Sequence, residues 1–332
     1  MSLPEAEMIR LPELVTPQGT TLAPIELSVH VAGEGPTVVL CHGFPELAYS
    51  WRHQFAALVG AGYRVIAPDM RGYGKSDCPA EIDDYDIEHL TGDLVRLLDH
   101  FGVEKAIFAG HDWGGSVIWA TPIVWPERVA GLIGVNTPNR PMPTTPLLRS
   151  MIKDDERLYI LWFQEPGVAE ARMDPLAGMI FEKLMRGARA PDGPGMLAAG
   201  AGDDPDRSAN PFMRVESMGK EGAEILSAEE LATYVAAFET TGFRGGINWY
   251  RNIDKNAEMF PGVGTTELKM PCLMVTAEWD PAIPPSFAEG MGDTCLDLEM
   301  HMIEKCGHWT QHEKSEELNG LLVDFLQRRF PA

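Results

Sequence analysis

Residues 110–115, GHDWGG, place an aspartate between glycines at a sharp turn of the chain. The apolar run 106–109 before them predicts a buried strand, and residues 116–120 predict the start of a helix. Asp112 is therefore presented at a strand-to-helix turn, where the helix N-terminus keeps its carboxylate ionised. A carboxylate there can displace a leaving group at a saturated carbon and form an ester that water later cleaves. Although a lone aspartate before a helix is usually an N-cap, the flanking glycines favour a covalent nucleophile.

A second motif, residues 42–46 with the sequence HGFPE, follows the apolar run 36–41. It lies just past a predicted strand, where a loop N–H can reach the nucleophile. The backbone N–H groups of Phe44 and Trp113 are the predicted donors of an oxyanion hole. They would stabilise the oxyanion that forms when water attacks the ester of Asp112. His42 is interpreted as a brace for this loop.

An acid and a histidine are expected downstream of the nucleophile, in that order. The apolar strand 271–277 ends shortly before Asp280, and the shorter strand 300–303 leads to His308. Each polar residue therefore follows a strand end. We expect Asp280 to orient His308, which would remove a proton from the water that attacks the ester.

Some neighbouring residues have competing interpretations. Glu278 lies two residues before Asp280 and remains an alternative orienting acid, whereas Asn136 stands at another strand end and cannot act as an acid. His308 itself could be a structural histidine, but its position after a late strand favours catalysis. The remaining polar residues of these loops, Asp69, Arg71 and His111, are interpreted as loop braces.

With these motifs the chain resembles the α/β-hydrolases of the epoxide hydrolase group, of the soluble type. The resemblance covers nearly the whole chain, and its motifs are HGFPE at 42–46, GHDWG at 110–114, YILWFQEPGVAE at 159–170, FRGGINWYR at 243–251 and GHWTQ at 307–311. The first two are shared with haloalkane and haloacid dehalogenases, so they indicate the superfamily. The third and fourth are much narrower and lie in what the family uses as a cap over the active site.

The resemblance implies a role for two tyrosines of the cap. Tyr159 and Tyr250 occupy the positions that the family uses to hold the epoxide oxygen. Opening an epoxide creates an alkoxide, and a phenol with a pKa of about 10 can supply both a hydrogen bond and a proton to it. The alternative is that both are core residues of helices that also carry Trp162, Phe163 and Trp249.

The predicted architecture is α/β: an α/β-hydrolase fold with a mostly parallel eight-stranded sheet flanked by helices and an inserted helical cap. Residues 1–136 would form the first part of the hydrolase core, 137–262 the cap and 263–332 the second part of the core. The cap segment includes an acidic, glycine-rich stretch at 195–210. Near the N-terminus, Ile25–Val31 and Thr37–Cys41 are predicted to pair as a hairpin around the turn at 33–36.

Composition limits the partners. The 27 basic and 49 acidic residues give a net charge of −22, which argues against nucleic acid and anionic membrane surfaces as partners.

The N-terminus lacks signal-peptide features and no apolar run is long enough to span a bilayer, so a cytoplasmic location is expected. Five cysteines without metal-ligand spacing predict reduced thiols, and neither a cofactor nor a metal is expected. The expected partner is a small-molecule epoxide. The sequence is compatible with a monomer or a homo-oligomer.

Three functions compete at this point. The first is an epoxide hydrolase that releases a vicinal diol. The second is a dehalogenase, because Trp113 could hold a departing halide. Two departures argue against it. Haloalkane dehalogenases usually carry Asn or Trp where this chain has Phe44 and Glu46, and haloacid dehalogenases carry arginines where this chain has residues 113–115, WGG. The third is a catalytically silent ligand-binding protein, which an intact set of Asp112, Asp280 and His308 argues against.

Overall fold

A computed structural model describes residues 3–190 and 209–332. Its strands are β1 Glu7–Leu11, β2 Leu14–Val15, β3 Thr21–Leu22, β4 Ile25–Ala32, β5 Thr37–Cys41, β6 Arg64–Pro68, β7 Ala106–His111, β8 Val129–Val135, β9 Cys272–Ala277 and β10 Leu298–Ile303. Eight of them form one sheet in the order β1-β4-β6-β5-β7-β8-β9-β10, while β2 and β3 pair separately. Within the eight-stranded sheet of the described residues, only the pairs β1–β4 and β4–β6 are antiparallel. The predicted eight-stranded, mostly parallel sheet is confirmed.

The N-terminal hairpin prediction is wrong. Strand β4 pairs with β1 and β6, and β5 pairs with β6 and β7, so β6 lies between the two predicted hairpin strands. The turn signal at 33–36 reverses the chain but does not bring β4 and β5 together. Val31 of β4 instead lies opposite Ile66 of β6. A central position in the sheet stabilises β6, because its apolar side chains are then buried on both sides.

The helices are α1 Arg52–Gly60, α2 Ile87–His100, α3 Trp113–Val124, α4 Thr145–Met151, α5 Tyr159–Trp162, α6 Val168–Met173, α7 Ala177–Leu184, α8 Pro211–Arg214, α9 Ala228–Thr241, α10 Arg244–Arg251, α11 Ile253–Met259, α12 Thr310–Glu313 and α13 Ser315–Arg329. Those from α4 to α11 lie between β8 and β9, in the segment predicted to be helical. Most of the glycine-rich stretch 195–210 lies outside the described residues.

Alternate side chains of the central strands reach opposite faces of the sheet. Val38 and Leu40 of β5 pack with Phe55 of α1 and Leu322 of α13 in one core. On the other face, residues of β5 and β7 pack with α2, α3 and the helices between β8 and β9. Both faces are covered, which explains why these strands are continuous apolar runs. In the part of the chain that the structure describes, no helix is long and apolar enough to cross a membrane.

Candidate active site

The residues singled out in the sequence meet at one edge of the sheet. Phe44 follows β5, Asp112 follows β7, Asp280 follows β9 and His308 follows β10. Because these strands are parallel, the loops after them all lie at the same edge, where open α/β sheets bind ligands. The order of the strands, and not the order of the residues in the chain, makes these side chains neighbours.

Asp112 has a strained backbone at the strand-to-helix turn. Its φ of 51° and ψ of −121° are rare for a residue with a side chain, and helix α3 begins at the next residue. A Cβ at Gly110 would lie 2.3 Å from the carbonyl oxygen of Gly114, so the turn requires glycine there. The Thr137 hydroxyl donates to the backbone carbonyl of Asp112 at 2.8 Å. These contacts hold the carboxylate at the edge of the sheet.

The loop after β5 approaches the carboxylate of Asp112 closely. The backbone N–H of Phe44 donates to Asp112 Oδ1 at 2.8 Å, as the predicted oxyanion donor would. A Cβ at Gly43 would lie 2.4 Å from the Cβ of Asp112, so only glycine permits this approach. The Phe44–Pro45 peptide bond is cis. The second predicted donor, the N–H of Trp113, belongs to the first turn of α3 and has no acceptor within the helix.

His308 lies between two carboxylates. Its Nδ1 is 2.9 Å from Asp280 Oδ2, and its Nε2 is 3.7 Å from Asp112 Oδ2, which is longer than a hydrogen bond. Burial disfavours the protonated ring, but Asp280 and then Asp112 outweigh it and raise the pKa of His308 to about 9. Glu278, the alternative acid, is exposed and accepts a hydrogen bond from the N–H of Lys305. Asp280 is therefore the acid that contacts His308.

Asn136 has a contact that sequence reasoning missed. Its side-chain Nδ2 donates to Asp280 Oδ2 at 2.7 Å, and its Oδ1 accepts from the Thr310 hydroxyl at 2.8 Å. Asp280 Oδ1 also accepts the backbone N–H groups of Ala282 and Ile283. Burial opposes the charge of Asp280, but His308 and these donors lower its pKa below the usual value. The sequence feature that could have indicated this contact is an amide residue directly after β8. That strand lies between β7, which precedes Asp112, and β9, which precedes Asp280.

A buried ion pair joins the two loops on either side of the nucleophile. His111 Nδ1 lies 2.7 Å from Glu46 Oε2, and its Nε2 lies 2.7 Å from the carbonyl oxygen of His308. The His111 ring therefore bridges the side chain of Glu46 and the backbone of His308. Burial would raise the pKa of Glu46, but the charge of His111 lowers it to about 2. His111 is a loop brace, as expected, and the contribution of Glu46 was missed.

Replacing Glu46 with glutamine is expected to lower the free energy of unfolding by about 3 kcal/mol, because it breaks a fully buried pair by removing the carboxylate partner of His111. Urea denaturation at neutral pH measures the change. Glu278→Gln, which removes an exposed carboxylate from a neighbouring loop, is the matched control and should change stability far less. Equal effects of the two substitutions would contradict the role given to the buried pair.

The other residues predicted to brace loops also make polar contacts. His42 receives a hydrogen bond at Nε2 from the N–H of Met70, and its Nδ1 lies 2.9 Å from the carbonyl oxygen of Gly43. Asp69 accepts the N–H of Ala48 at 3.0 Å. Arg71 makes a two-point contact with Asp93. These hydrogen bonds fix the loops next to the site.

Tyr159 and Tyr250 line the same cavities as Asp112. Tyr159 is the first residue of α5 and Tyr250 lies on α10, and their ring centroids are 5.6 Å apart. Burial and then the charge of Asp112 raise the pKa of Tyr159. Burial, Tyr159 and Asp112 raise that of Tyr250, against a hydrogen bond from the Trp113 side chain. Both phenols therefore stay protonated at neutral pH and can donate.

Two cavities meet at these residues. One has a volume of about 440 Å³ and the other about 660 Å³, and both are lined by Asp112, Tyr159 and Tyr250. His308 lines the larger one. An organic ligand held between the two phenols and Asp112 can therefore extend in two directions.

Known proteins are similar to this chain over most of its length. A family model described as the alpha/beta hydrolase fold matches residues 36–315. Epoxide hydrolase A of Mycobacterium tuberculosis is 39% identical over 313 residues, which cover 91% of this chain and 94% of the relative. Bifunctional epoxide hydrolase 2 of Sus scrofa is 38% identical over 89% of this chain, which spans about half, 52%, of that longer protein.

A solved structure agrees with the sequence comparisons. The crystal structure of Epoxide Hydrolase A from Mycobacterium thermoresistibile is similar with a TM-score of 0.80 and 37% identity, over 97% of this chain and 98% of that one. The chain belongs to the α/β-hydrolase fold family and, within it, to the epoxide hydrolases.

Proposed function

We propose that this protein hydrolyses small-molecule epoxides to vicinal diols through an ester on Asp112. The observation that carries the proposal is the position of the ionisable carboxylate of Asp112 across a cavity from two protonated phenols, Tyr159 and Tyr250. Epoxide opening requires a nucleophile on one side of the carbon–oxygen bond and a proton donor on the other. In the same proposal, residues 137–262 form the cap that supplies the donors.

In the first step Asp112 attacks a ring carbon, the carbon–oxygen bond of the epoxide breaks, and an ester forms. The departing oxygen develops negative charge and receives hydrogen bonds and a proton from the tyrosines. A leaving halide would need no proton. The Trp113 side chain, which could otherwise hold a halide, hydrogen-bonds to Tyr250, which supports the epoxide function over the dehalogenase alternative.

In the second step water attacks the carbonyl carbon of the ester. Ester formation removes the negative charge of Asp112, which is one of the causes of the raised pKa of His308. The pKa of His308 then falls, so the ring releases a proton, which restores the tyrosine that protonated the epoxide oxygen. The neutral ring accepts a proton from the attacking water while Asp280 stabilises the resulting imidazolium. The N–H groups of Phe44 and Trp113 stabilise the tetrahedral oxyanion. Its collapse breaks the ester bond, and the departing alkoxide takes the proton of the new Asp112 carboxyl group, which releases the diol and restores the carboxylate.

A single turnover in heavy-oxygen water tests the covalent route. Because the diol would receive its new oxygen from Asp112, the label should appear in the Asp112 carboxylate after the first turnover, with almost none in the diol. Mass spectrometry of the peptide that contains Asp112 and of the diol measures both. The same reaction in ordinary water is the control. Solvent oxygen in the diol of the first turnover would show direct attack by water and refute the ester.

A further inference from the structure

The smaller cavity has one cationic residue. It is lined mostly by apolar side chains, including Leu148, Ile253 and Val263, and Arg140 is the single basic residue among its described lining. Leu147 and Met151, which also line it, are 53% and 46% exposed. The cavity thus connects Asp112 to a solvent-accessible apolar rim that carries one positive charge.

Arg140 has no carboxylate partner among residues 3–190 and 209–332, although acidic residues outnumber basic ones by 49 to 27. Its guanidinium instead stacks on the ring of Phe287, 4.2 Å from the ring centroid. Arg140 is exposed to solvent, and the part of its side chain that is buried lowers the pKa of the guanidinium. A guanidinium can contact an aromatic ring and still donate two hydrogen bonds to a carboxylate.

The backbone that carries Arg140 is held in place. Gly264 has a φ of 75°, and a Cβ there would lie 2.2 Å from the carbonyl carbon of Arg140. The preceding residue, Asn139, donates from its side chain to the Thr294 hydroxyl at 3.3 Å. Because this backbone is already fixed, binding an anion at Arg140 costs less conformational entropy than binding it at a cation on a mobile loop.

We propose that Arg140 determines substrate specificity by binding the anionic end of an epoxide whose ring lies at Asp112. The preferred substrates then carry a carboxylate separated from the epoxide by an apolar spacer that fills the smaller cavity. This inference rests on the proposed epoxide hydrolysis and adds to it the recognition of the distant end of the substrate.

The test compares ω-epoxy carboxylic acids of increasing chain length with their methyl esters. At the best chain length, Arg140→Gln should reduce kcat/KM for the acid about tenfold, mainly through KM, because a charge-assisted hydrogen bond is lost. The corresponding ester should be nearly unaffected. Arg189→Gln is the matched control, since Arg189 lines the larger cavity, and it should leave the preference for the acid unchanged.

Binding without turnover gives an independent measurement. Calorimetric titration with unreactive alkanoic acids and their amides should show that wild type prefers the acid and that Arg140→Gln loses the preference. If Arg140→Gln weakens acid and neutral ligands equally, or if Arg189→Gln abolishes the preference instead, Arg140 does not bind the anion. If wild type opens neither acids nor esters but still prefers the acid in titrations, the epoxide function fails while the anion site stands.

Discussion

His308→Gln is expected to stop the protein after one chemical step, with the substrate still attached to Asp112. Alkylation needs the carboxylate and a proton donor, and neither is removed by this change. Hydrolysis of the ester needs a general base, and losing one typically costs a factor of about 10² to 10⁴. Incubation with an epoxide should therefore raise the intact protein mass by the mass of the epoxide, and peptide mapping should locate the addition at Asp112.

Two variants make this result specific. His301→Gln makes the same change at an exposed histidine of β10 and should turn over without an adduct. The double variant Asp112→Ala, His308→Gln should keep its unmodified mass, because it lacks the nucleophile. If His308→Gln stays unmodified with an epoxide that wild type consumes, or accumulates an adduct at another residue, the assigned roles of His308 and Asp112 are wrong.

The parts of the site that could be predicted from sequence are those fixed by local signals. Asp112 lies in a turn where Gly110 is required by its close approach to Gly114, and His308 follows a recognisable strand end. The choice of Asp280 over Glu278 was also within reach, but only the structure shows that Glu278 points to the N–H of Lys305.

The other contacts of the site depend on which strands are neighbours in the sheet, and a short stretch of sequence does not determine that order. Asn136 contacts Asp280 across 144 positions of sequence because β8 lies between β7 and β9. The pairing of Glu46 with His111 likewise joins the loop after β5 to the last residue of β7. The failed hairpin has the same cause. A turn sequence predicts that the chain reverses, but it does not exclude a later strand from lying between the two strands that the turn connects.

The cap tyrosines provide the sharpest distinction between epoxide and halide chemistry. Replacing Tyr159 or Tyr250 with phenylalanine removes one donor to the developing alkoxide and keeps the ring. Each single change is expected to slow alkylation by a factor of about 10² to 10³, as for the loss of one transition-state donor. The double variant loses both donors and should show almost no alkylation. A halide would leave without a proton, so a dehalogenase should be far less sensitive to these changes.

Pre-steady-state quenched-flow measurements of ester formation follow the step directly, and circular dichroism verifies that each variant is folded. Tyr234→Phe is the matched control: Tyr234 is a buried tyrosine of α9 whose hydroxyl contacts Ser50, and it is not among the lining residues of either cavity. It should alkylate at the wild-type rate even if it is less stable. Wild-type alkylation in the folded double variant would mean that the alkoxide receives its proton elsewhere, and the two phenols opposite Asp112 would then be packing residues. If wild type removes bromide from bromoalkanes and the double variant keeps that rate, the dehalogenase alternative is favoured, because a departing halide needs no proton from a phenol.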